Sequence, residues 1–321
     1  MMRPLATFVS LLLFLTALPA KDKKKDPGQI GNRDVGKGIN FYSLEREIAL
    51  GRQLSEEVQR QAKLVTDPIV TEYINRIGQN LVRNSDARVP FSFQIVQSDE
   101  LNAFALPGGF IYVNSGLIKL AETEAELAGA MAHEVAHVAA RHITRQATRN
   151  QIANLATIPL MVWGGWTGYA VRQGAGVGIP LTFLTFSRGF EAEADFLGLQ
   201  YMYAAGYDPT ASIEIFEKLM SLERTKPGAI AKVFSTHPMN ADRIRNTQKE
   251  IQEILPSKPE YVVDTSAYNE VRLRLLALEN QRKNEKQDEN RPRLRKAPGA
   301  APSGSEDEDG RPTIRRRDWV D

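Results

Sequence analysis

Histidine is scarce in this sequence of 321 residues, and three of its four histidines fall within ten residues of one another. His133 and His137 are four residues apart, with Glu134 beside the first, in the order H-E-x-x-H. Residues four apart lie on one face of an α-helix, so both imidazoles can reach one metal ion while the glutamate stands beside its open position. If the segment is helical, the motif predicts a zinc site with a general base.

A catalytic zinc site of this kind needs a third protein ligand. One class uses the third histidine of H-E-x-x-H-x-x-G-x-x-H, and that class is excluded because Ala140 and Ile143 occupy the required positions. His142 lies five residues after His137, roughly 140° around a helix. We therefore expect His142 to point away from the site, as part of a polar helix end. The third ligand is expected to be a glutamate from a later helix.

The acidic run E-A-E-A-D from Glu191 to Asp195 offers that glutamate. Glu191 and Asp195 share a helix face, whereas Glu193 is turned by about 200° from Glu191. Glu191 is therefore the predicted third ligand, and Asp195 is predicted to accept the outer N–H of a ligand histidine, His133 in the favoured arrangement. The alternative is an ordinary solvated first turn of a helix, in which the helix dipole favours acidic residues.

The chemistry expected of such a site is hydrolysis. Zinc held by two imidazoles and one carboxylate lowers the pKa of its bound water to about 7 and polarises a carbonyl. Glu134 would take a proton from the attacking water and pass it to the leaving amine. A ligand set without a thiolate fits one zinc ion per chain.

Composition excludes several other functions. The sequence has no cysteine, which rules out a disulfide framework, iron–sulfur clusters and a thiol nucleophile. Lys and Arg total 41 against 39 for Asp and Glu, so the net charge of +2 gives no general attraction for nucleic acid, and no nucleic-acid partner is expected. The length is sufficient for one large or two ordinary domains with hydrophobic cores.

Helix and strand signals indicate the elements that would position the site. Helices are predicted to begin after Ser43 and Asp67, and Thr123-x-x-Glu126 is a capping box that begins the helix of the H-E-x-x-H motif. Alternating apolar residues predict strands at 91–95, 103–106 and 110–113, the last two joined by a tight turn. Further helices are predicted over about 187–205, 209–222 and 240–255. The predicted fold class is α+β, mainly helical, with a small antiparallel β-sheet beside the motif helix.

The chain ends differ in composition from the centre. Residues 1–20 read as a signal peptide, with an uncleaved anchor as the alternative, so the mature protein is expected to be periplasmic or secreted. Residues 21–40 are predicted to be a flexible linker and 281–321 a disordered charged tail. Between them we expect a zinc metallopeptidase domain at 41–260 and a peripheral strand or helix at 261–280.

One long uncharged stretch could be mistaken for a membrane span. Asn150 to Val171 contain 22 residues without a charge, and Gln173 to Ser187 contain another 15. A single crossing is impossible, because His137 and the acidic run must meet on one side of any membrane. We predict a buried or lid-like hairpin over 150–187. Peripheral membrane contact through this segment is the alternative, because two tryptophans lie within it.

Four motifs occur in this sequence in one order. They are N-A-F-A-L-P-G-G from Asn102 to Gly109, the string from His133 to His142, the run from Glu191 to Asp195, and S-T-H-P from Ser235 to Pro238 followed by Arg243. Together they resemble the zinc metalloendopeptidase family that includes the CAAX prenyl proteases, HtpX and BepA. The resemblance covers about residues 40–255, and the soluble periplasmic BepA-type members are the most similar.

The resemblance implies a zincin-like fold and a role for each matching residue. It places zinc on His133, His137 and Glu191, makes Glu134 the catalytic base, and puts Asp195 behind the ligands. It also implies that His237 and Arg243 lie near the reacting carbonyl. The strand that begins at Asn102 and Ala103 is predicted to bind substrate, as an edge to which an extended peptide adds. The alternative is a hairpin that only packs on the core.

These observations favour a secreted zinc endopeptidase that acts on unfolded or misfolded proteins in envelope protein quality control. The alternative from another class is a zinc-stabilised chaperone that holds clients without cutting them, and a third is a membrane-associated protease. Glu134 distinguishes the first two, because a binding protein has no need of a carboxylate beside the open metal position. His237 has two candidate roles, closing the fourth zinc position at rest or stabilising the oxyanion, and we expect the oxyanion role to dominate.

Overall fold

The computed structural model describes residues 25–163, 186–225, 237 and 240–289. This part of the chain is mostly helical, with one small sheet, so the predicted α+β class is confirmed. The helices are α1 Leu44–Gln61, α2 Pro68–Arg83, α3 Ser115–Leu120, α4 Glu124–Ala139, α5 His142–Trp163, α6 Arg188–Ala204, α7 Ala211–Thr225, α8 Ala241–Ile254 and α9 Ser266–Glu289.

The sheet contains β1 Ser92–Val96, β2 Ala103–Leu106 and β3 Phe110–Asn114, in the order β1-β3-β2. The β2–β3 pair is antiparallel, but β1 runs parallel to β3, so the prediction of a wholly antiparallel sheet is wrong. The strand signals did not show that the chain crosses over after β1, which lets β3 take the central place. Within the described residues, β2 forms one edge of the sheet.

A two-glycine turn makes the β2–β3 hairpin possible. Gly108 and Gly109 both have positive φ, 74° and 97°, a region that L side chains rarely adopt. A Cβ on Gly109 would also lie only 2.0 Å from the carbonyl oxygen of Pro90. These positions fix where β2 ends, and therefore which residues of β2 lie beside α4.

Helix α4 is the centre of the core. Its N-cap Thr123 accepts a hydrogen bond from the backbone N–H of Glu126, and every residue of the helix except Ala130 is buried. It packs against α2, α6, α7 and the sheet. A helix surrounded in this way holds its side chains firmly, because neighbouring elements restrict their rotamers on all sides.

Helices α4 and α6 approach closely at Gly198. A Cβ built there would lie 3.1 Å from the backbone carbon and oxygen of Ala132 and from the backbone nitrogen of His133. These are backbone atoms in the middle of a helix, so they cannot move aside as a flexible side chain can. Gly198 therefore sets the distance between the two helices that carry the predicted metal ligands.

We expect Gly198→Ala to lower the free energy of unfolding by about 1–3 kcal/mol, the usual cost of overpacking a core. Denaturant unfolding followed by circular dichroism measures this change. Gly189→Ala is the matched control, because it lies on the same helix and its Cβ would meet nothing within 4 Å. If the Gly198→Ala protein were as stable as the Gly189→Ala protein, α4 and α6 would have to be far enough apart at residue 198 to accommodate a methyl group.

Part of the predicted linker is folded. Arg33 is 3% exposed, and its guanidinium donates two hydrogen bonds from Nε and Nη2 to Oδ2 of Asp86, at 3.0 and 2.5 Å. The backbone N–H of Gly31 also donates to Asp86, and Val35 is buried. The linker prediction is therefore wrong for this stretch. The stretch has few apolar residues to bury, but the ion pair between Arg33 and Asp86, more than fifty residues away, holds it in place.

The C-terminal predictions also need correction where the structure describes them. The chain divides into two compact units, Met1–Leu276 and Ala277–Asp321. In the first, Tyr268 is fully buried and donates to the carbonyl oxygens of Ile118 and Ala121, so this stretch belongs to the core and is not peripheral. In the second, α9 continues to Glu289, so the first residues of the predicted tail are helical.

Three sequence predictions fall outside the described residues. These are the signal peptide at 1–20, the second part of the uncharged segment, at 164–185, and the tail from residue 290 onward. The first part of the uncharged segment continues α5 to Trp163. Among the described helices, none has the length and apolar character needed to cross a membrane.

Candidate active site

Two helices and one further residue bring four side chains with metal-binding atoms together. His133 and His137 come from α4, and Glu191 comes from the first turn of α6. The Nε2 atoms of the two histidines are 3.0 Å apart, and each lies 3.4 Å from an oxygen of Glu191. With His237, one atom from each of the four residues lies within 4.8 Å of the others, and all four are buried.

His237 closes the fourth side of this cluster. Its Nδ1 lies 3.1 Å from Oε1 of Glu191 and 3.3 Å from Nε2 of His133. Its other ring nitrogen, Nε2, lies 3.3 Å from Oε1 of Glu134. The ring therefore stands between the ligand cluster and the glutamate of the motif, where a reacting group would have to enter.

Asp195 and Arg243 form a support behind the cluster. Oδ1 of Asp195 lies 3.0 Å from Nδ1 of His133. The guanidinium of Arg243 donates from Nε and Nη2 to the two Asp195 oxygens, both at 2.7 Å, and its Nη1 lies 2.9 Å from Oε2 of Glu191. The structure thus places Arg243 on two carboxylates, a position suited to orienting the ligands.

Glu134 faces the cluster from the side of β2. It is 3% exposed, its Oε2 has no hydrogen-bond partner among the described residues, and its Oε1 lies 3.3 Å from Nε2 of His237. Burial raises the pKa of Glu134 above its usual value, although nearby imidazoles oppose this effect. A buried carboxylate with a raised pKa and one unused oxygen has the properties of a general base.

The electrostatics of the cluster favour a divalent cation. Three buried carboxylates, Glu134, Glu191 and Asp195, face the single guanidinium of Arg243. With neutral imidazoles these described side chains leave two negative charges unbalanced. Burial lowers the pKa of His133, but Asp195 and Glu191 outweigh burial and raise it to about 10, so the site attracts positive charge. Two or three imidazole nitrogens with one carboxylate form a donor set that suits zinc.

An apolar pocket opens beside the base. Its polar margin contains Asn102, Glu134 and His237, and its apolar wall is formed by Leu101, Ala103, Leu117, Ala130, Phe216 and Leu219. Asn102 and Ala103, the two residues predicted to bind substrate, line this pocket at the start of β2. Within the described residues β2 is an edge strand of the sheet. An extended chain lying along β2 could place an apolar side chain in the pocket.

His142 lies where sequence reasoning did not expect it. The ring is fully buried, and its Nδ1 lies 3.0 Å from Nδ1 of His137. The expectation that it points away is wrong, because α4 ends at Ala139 and Arg141 adopts a positive φ of 57°, so the helical angle does not carry through to residue 142. Its Nε2 lies 3.1 Å from Oε2 of Glu193, a second residue that the helix-face argument set aside.

Comparison with known proteins agrees with this geometry. The model of peptidase family M48 matches residues 68–251. The beta-barrel assembly-enhancing protease of Yersinia pestis is 30% identical over 287 residues, which cover 85% of this chain and 58% of that protein. The Escherichia coli K12 protein of the same name is 30% identical over 67% of this chain and 45% of its own length.

A mitochondrial relative also matches. The metalloendopeptidase OMA1 of Schizosaccharomyces pombe is 30% identical over 226 residues, which cover 68% of this chain and 64% of that protein. The chain spans about half the length of the curated bacterial relatives it matches. The family match, in contrast, includes α2 through most of α8 and therefore every described residue of the cluster. This chain belongs to peptidase family M48.

Proposed function

We propose that the protein is a zinc-dependent endopeptidase that cleaves unfolded or misfolded proteins in the cell envelope. The observation that supports this proposal most strongly is the buried cluster of His133, His137 and Glu191, with an oxygen of Glu134 nearby that has no hydrogen-bond partner in the described part of the chain. All three of the compared relatives carry the word protease or metalloendopeptidase in their names. Export is part of this proposal and rests on the signal-peptide pattern predicted for residues 1–20.

Each residue of the cluster has a proposed part in the reaction. His133, His137 and Glu191 would hold the metal, which supplies a Lewis acid and a water of lowered pKa when bound. Glu134 takes the proton of the attacking water and then delivers it to the leaving amine. Asp195 fixes the ring of His133. Arg243, which is hydrogen-bonded to Asp195, is a positioning residue in this proposal.

The substrate is proposed to bind as an added strand. Within the described residues β2 is an edge of the sheet and its first residue lines the pocket, so a peptide can pair with main-chain groups near Asn102 and Ala103 and present its carbonyl to the cluster. This mode requires an extended substrate segment. It therefore favours unfolded chains over folded proteins, whose strands are already paired.

The first test is metal content. We expect one zinc ion per chain after dialysis, because the charge balance and donor set both favour a divalent cation of moderate softness. Inductively coupled plasma mass spectrometry on the purified protein gives the stoichiometry, and circular dichroism confirms that the sample is folded. Folded, active protein without zinc would contradict the proposal.

His237 is proposed to close the site at rest. Its Nδ1 already lies among the ligand atoms, so with His237 in place the metal would have four protein ligands. The geometry therefore favours the closing role over the oxyanion role expected from sequence. If the closed form accounts for about nine molecules in ten, His237→Ala should raise turnover about tenfold.

Turnover of an unfolded substrate at saturating zinc distinguishes the two roles of His237. A loss of about 10²- to 10³-fold in His237→Ala would show that the ring stabilises the transition state instead. Unchanged turnover would show that neither role applies. Zinc content of the variant must be measured in parallel, because removal of a ligand can also weaken metal binding.

A further inference from the structure

We propose that His142 and Glu193 are positioning residues that fix the ring of His137 in the tautomer required to bind zinc. This inference rests on the proposed zinc site. The three side chains form a line, with 3.0 Å between the Nδ1 atoms of His137 and His142 and 3.1 Å between Nε2 of His142 and Oε2 of Glu193. His137 and His142 are both fully buried.

The carboxylate of Glu193, at one end of this line, determines which ring nitrogens carry protons. An ionised carboxylate can only accept hydrogen bonds, so Nε2 of His142 must carry the proton that points to Glu193. A neutral imidazole has one N–H, which leaves Nδ1 of His142 as an acceptor. His137 must then donate from its own Nδ1, so its Nε2 is unprotonated, and this is the nitrogen that faces the cluster.

Without Glu193 the opposite arrangement would be equally available. Two facing Nδ1 atoms can share one proton in either direction, and the reverse direction protonates Nε2 of His137 and blocks it as a ligand. Arg145 also faces this end of the line, with its Nη1 3.2 Å from the same oxygen of Glu193. The outer nitrogen of His133 faces the carboxylate of Asp195 directly, whereas the outer nitrogen of His137 is linked to the carboxylate of Glu193 through the ring of His142.

Ring packing offers a competing explanation for His142. Its ring stacks on Phe190 at 4.4 Å between centroids and contacts Phe186 at 6.2 Å, so it could serve only to fill an apolar space. The two explanations predict opposite results for two substitutions. His142→Phe keeps the ring and removes the acceptor. His142→Asn removes the ring but keeps an oxygen near the position of Nδ1.

The test measures zinc dissociation constants by chelator competition on the full chain. If the hydrogen bond matters, His142→Phe and Glu193→Ala should weaken zinc binding about 10- to 100-fold, and His142→Asn should stay closer to wild type than His142→Phe does. If only packing matters, His142→Phe should bind zinc as tightly as wild type and His142→Asn should be the weaker variant. That order would overturn the proposal.

A second readout does not depend on affinity. In the full chain stripped of metal and shown by circular dichroism to be folded, ¹⁵N NMR of the imidazoles should show Nδ1 of His137 protonated and Nδ1 of His142 unprotonated. The reverse pattern would also overturn the proposal. Wild-type protein that binds no zinc would instead contradict the proposed function, so the two failures are distinguishable.

Discussion

Glu134→Gln is expected to lower turnover of an unfolded substrate by about 10³- to 10⁴-fold while leaving zinc content and stability unchanged. The amide has the shape of the carboxylate but cannot take a proton from water. No proposed metal ligand is removed, because Glu134 is not among the residues whose atoms form the metal-binding cluster. The measurement is the initial rate of peptide release, with zinc content determined on the same samples.

The same variant separates the endopeptidase from a chaperone that only holds clients. Glu214→Gln is a suitable control, because this glutamate is exposed on α7. A protein that binds unfolded clients equally well with either residue at position 134, and releases no peptides in either form, would support the chaperone. Full activity in the Glu134→Gln variant would show that Glu134 is not the general base.

Glu191→Ala is expected to weaken zinc binding by more than about 10²-fold, beyond the range typical for residues that only orient a ligand. It removes the one carboxylate that lies 3.4 Å from both ligand nitrogens of α4. Chelator competition measures the effect, with Glu214→Ala as the control for loss of an acidic residue.

The comparison with Glu193 makes this prediction specific. Both glutamates lie in the first turns of α6, but Glu191 contacts both histidines of the cluster, whereas Glu193 contacts His142 and is proposed to act through it. The loss in Glu191→Ala should therefore exceed that in Glu193→Ala. Equal losses, or a larger loss at Glu193, would show that the ligand has been assigned to the wrong residue.

Much of this arrangement could be predicted from the sequence because it depends on helix geometry. The spacing of His133 and His137, and of Glu191 and Asp195, placed each pair on one face of its helix, and the capping box at Thr123 marked where α4 begins. Such local rules hold as long as the helix continues. They failed for His142, because the backbone turns at Arg141 before that residue is reached.

The other differences come from contacts between distant parts of the chain. No local pattern indicates that β1 pairs with β3 in parallel, because strand order depends on where the chain crosses the sheet. Nor does the composition around Arg33 show that Asp86 lies within reach. His237 was predicted near the reaction, but its position among the ligand atoms depends on packing that spacing does not encode.

The most direct test of the account is cleavage of a permanently unfolded protein, such as a reduced and alkylated one, by the purified chain. We predict that mass spectrometry will detect internal peptides, that removal of metal with a chelator will stop their release, and that about one equivalent of zinc will restore it. The account would be contradicted if the zinc-loaded wild-type protein left the unfolded substrate intact under these conditions and the zinc-loaded His237→Ala variant did so as well.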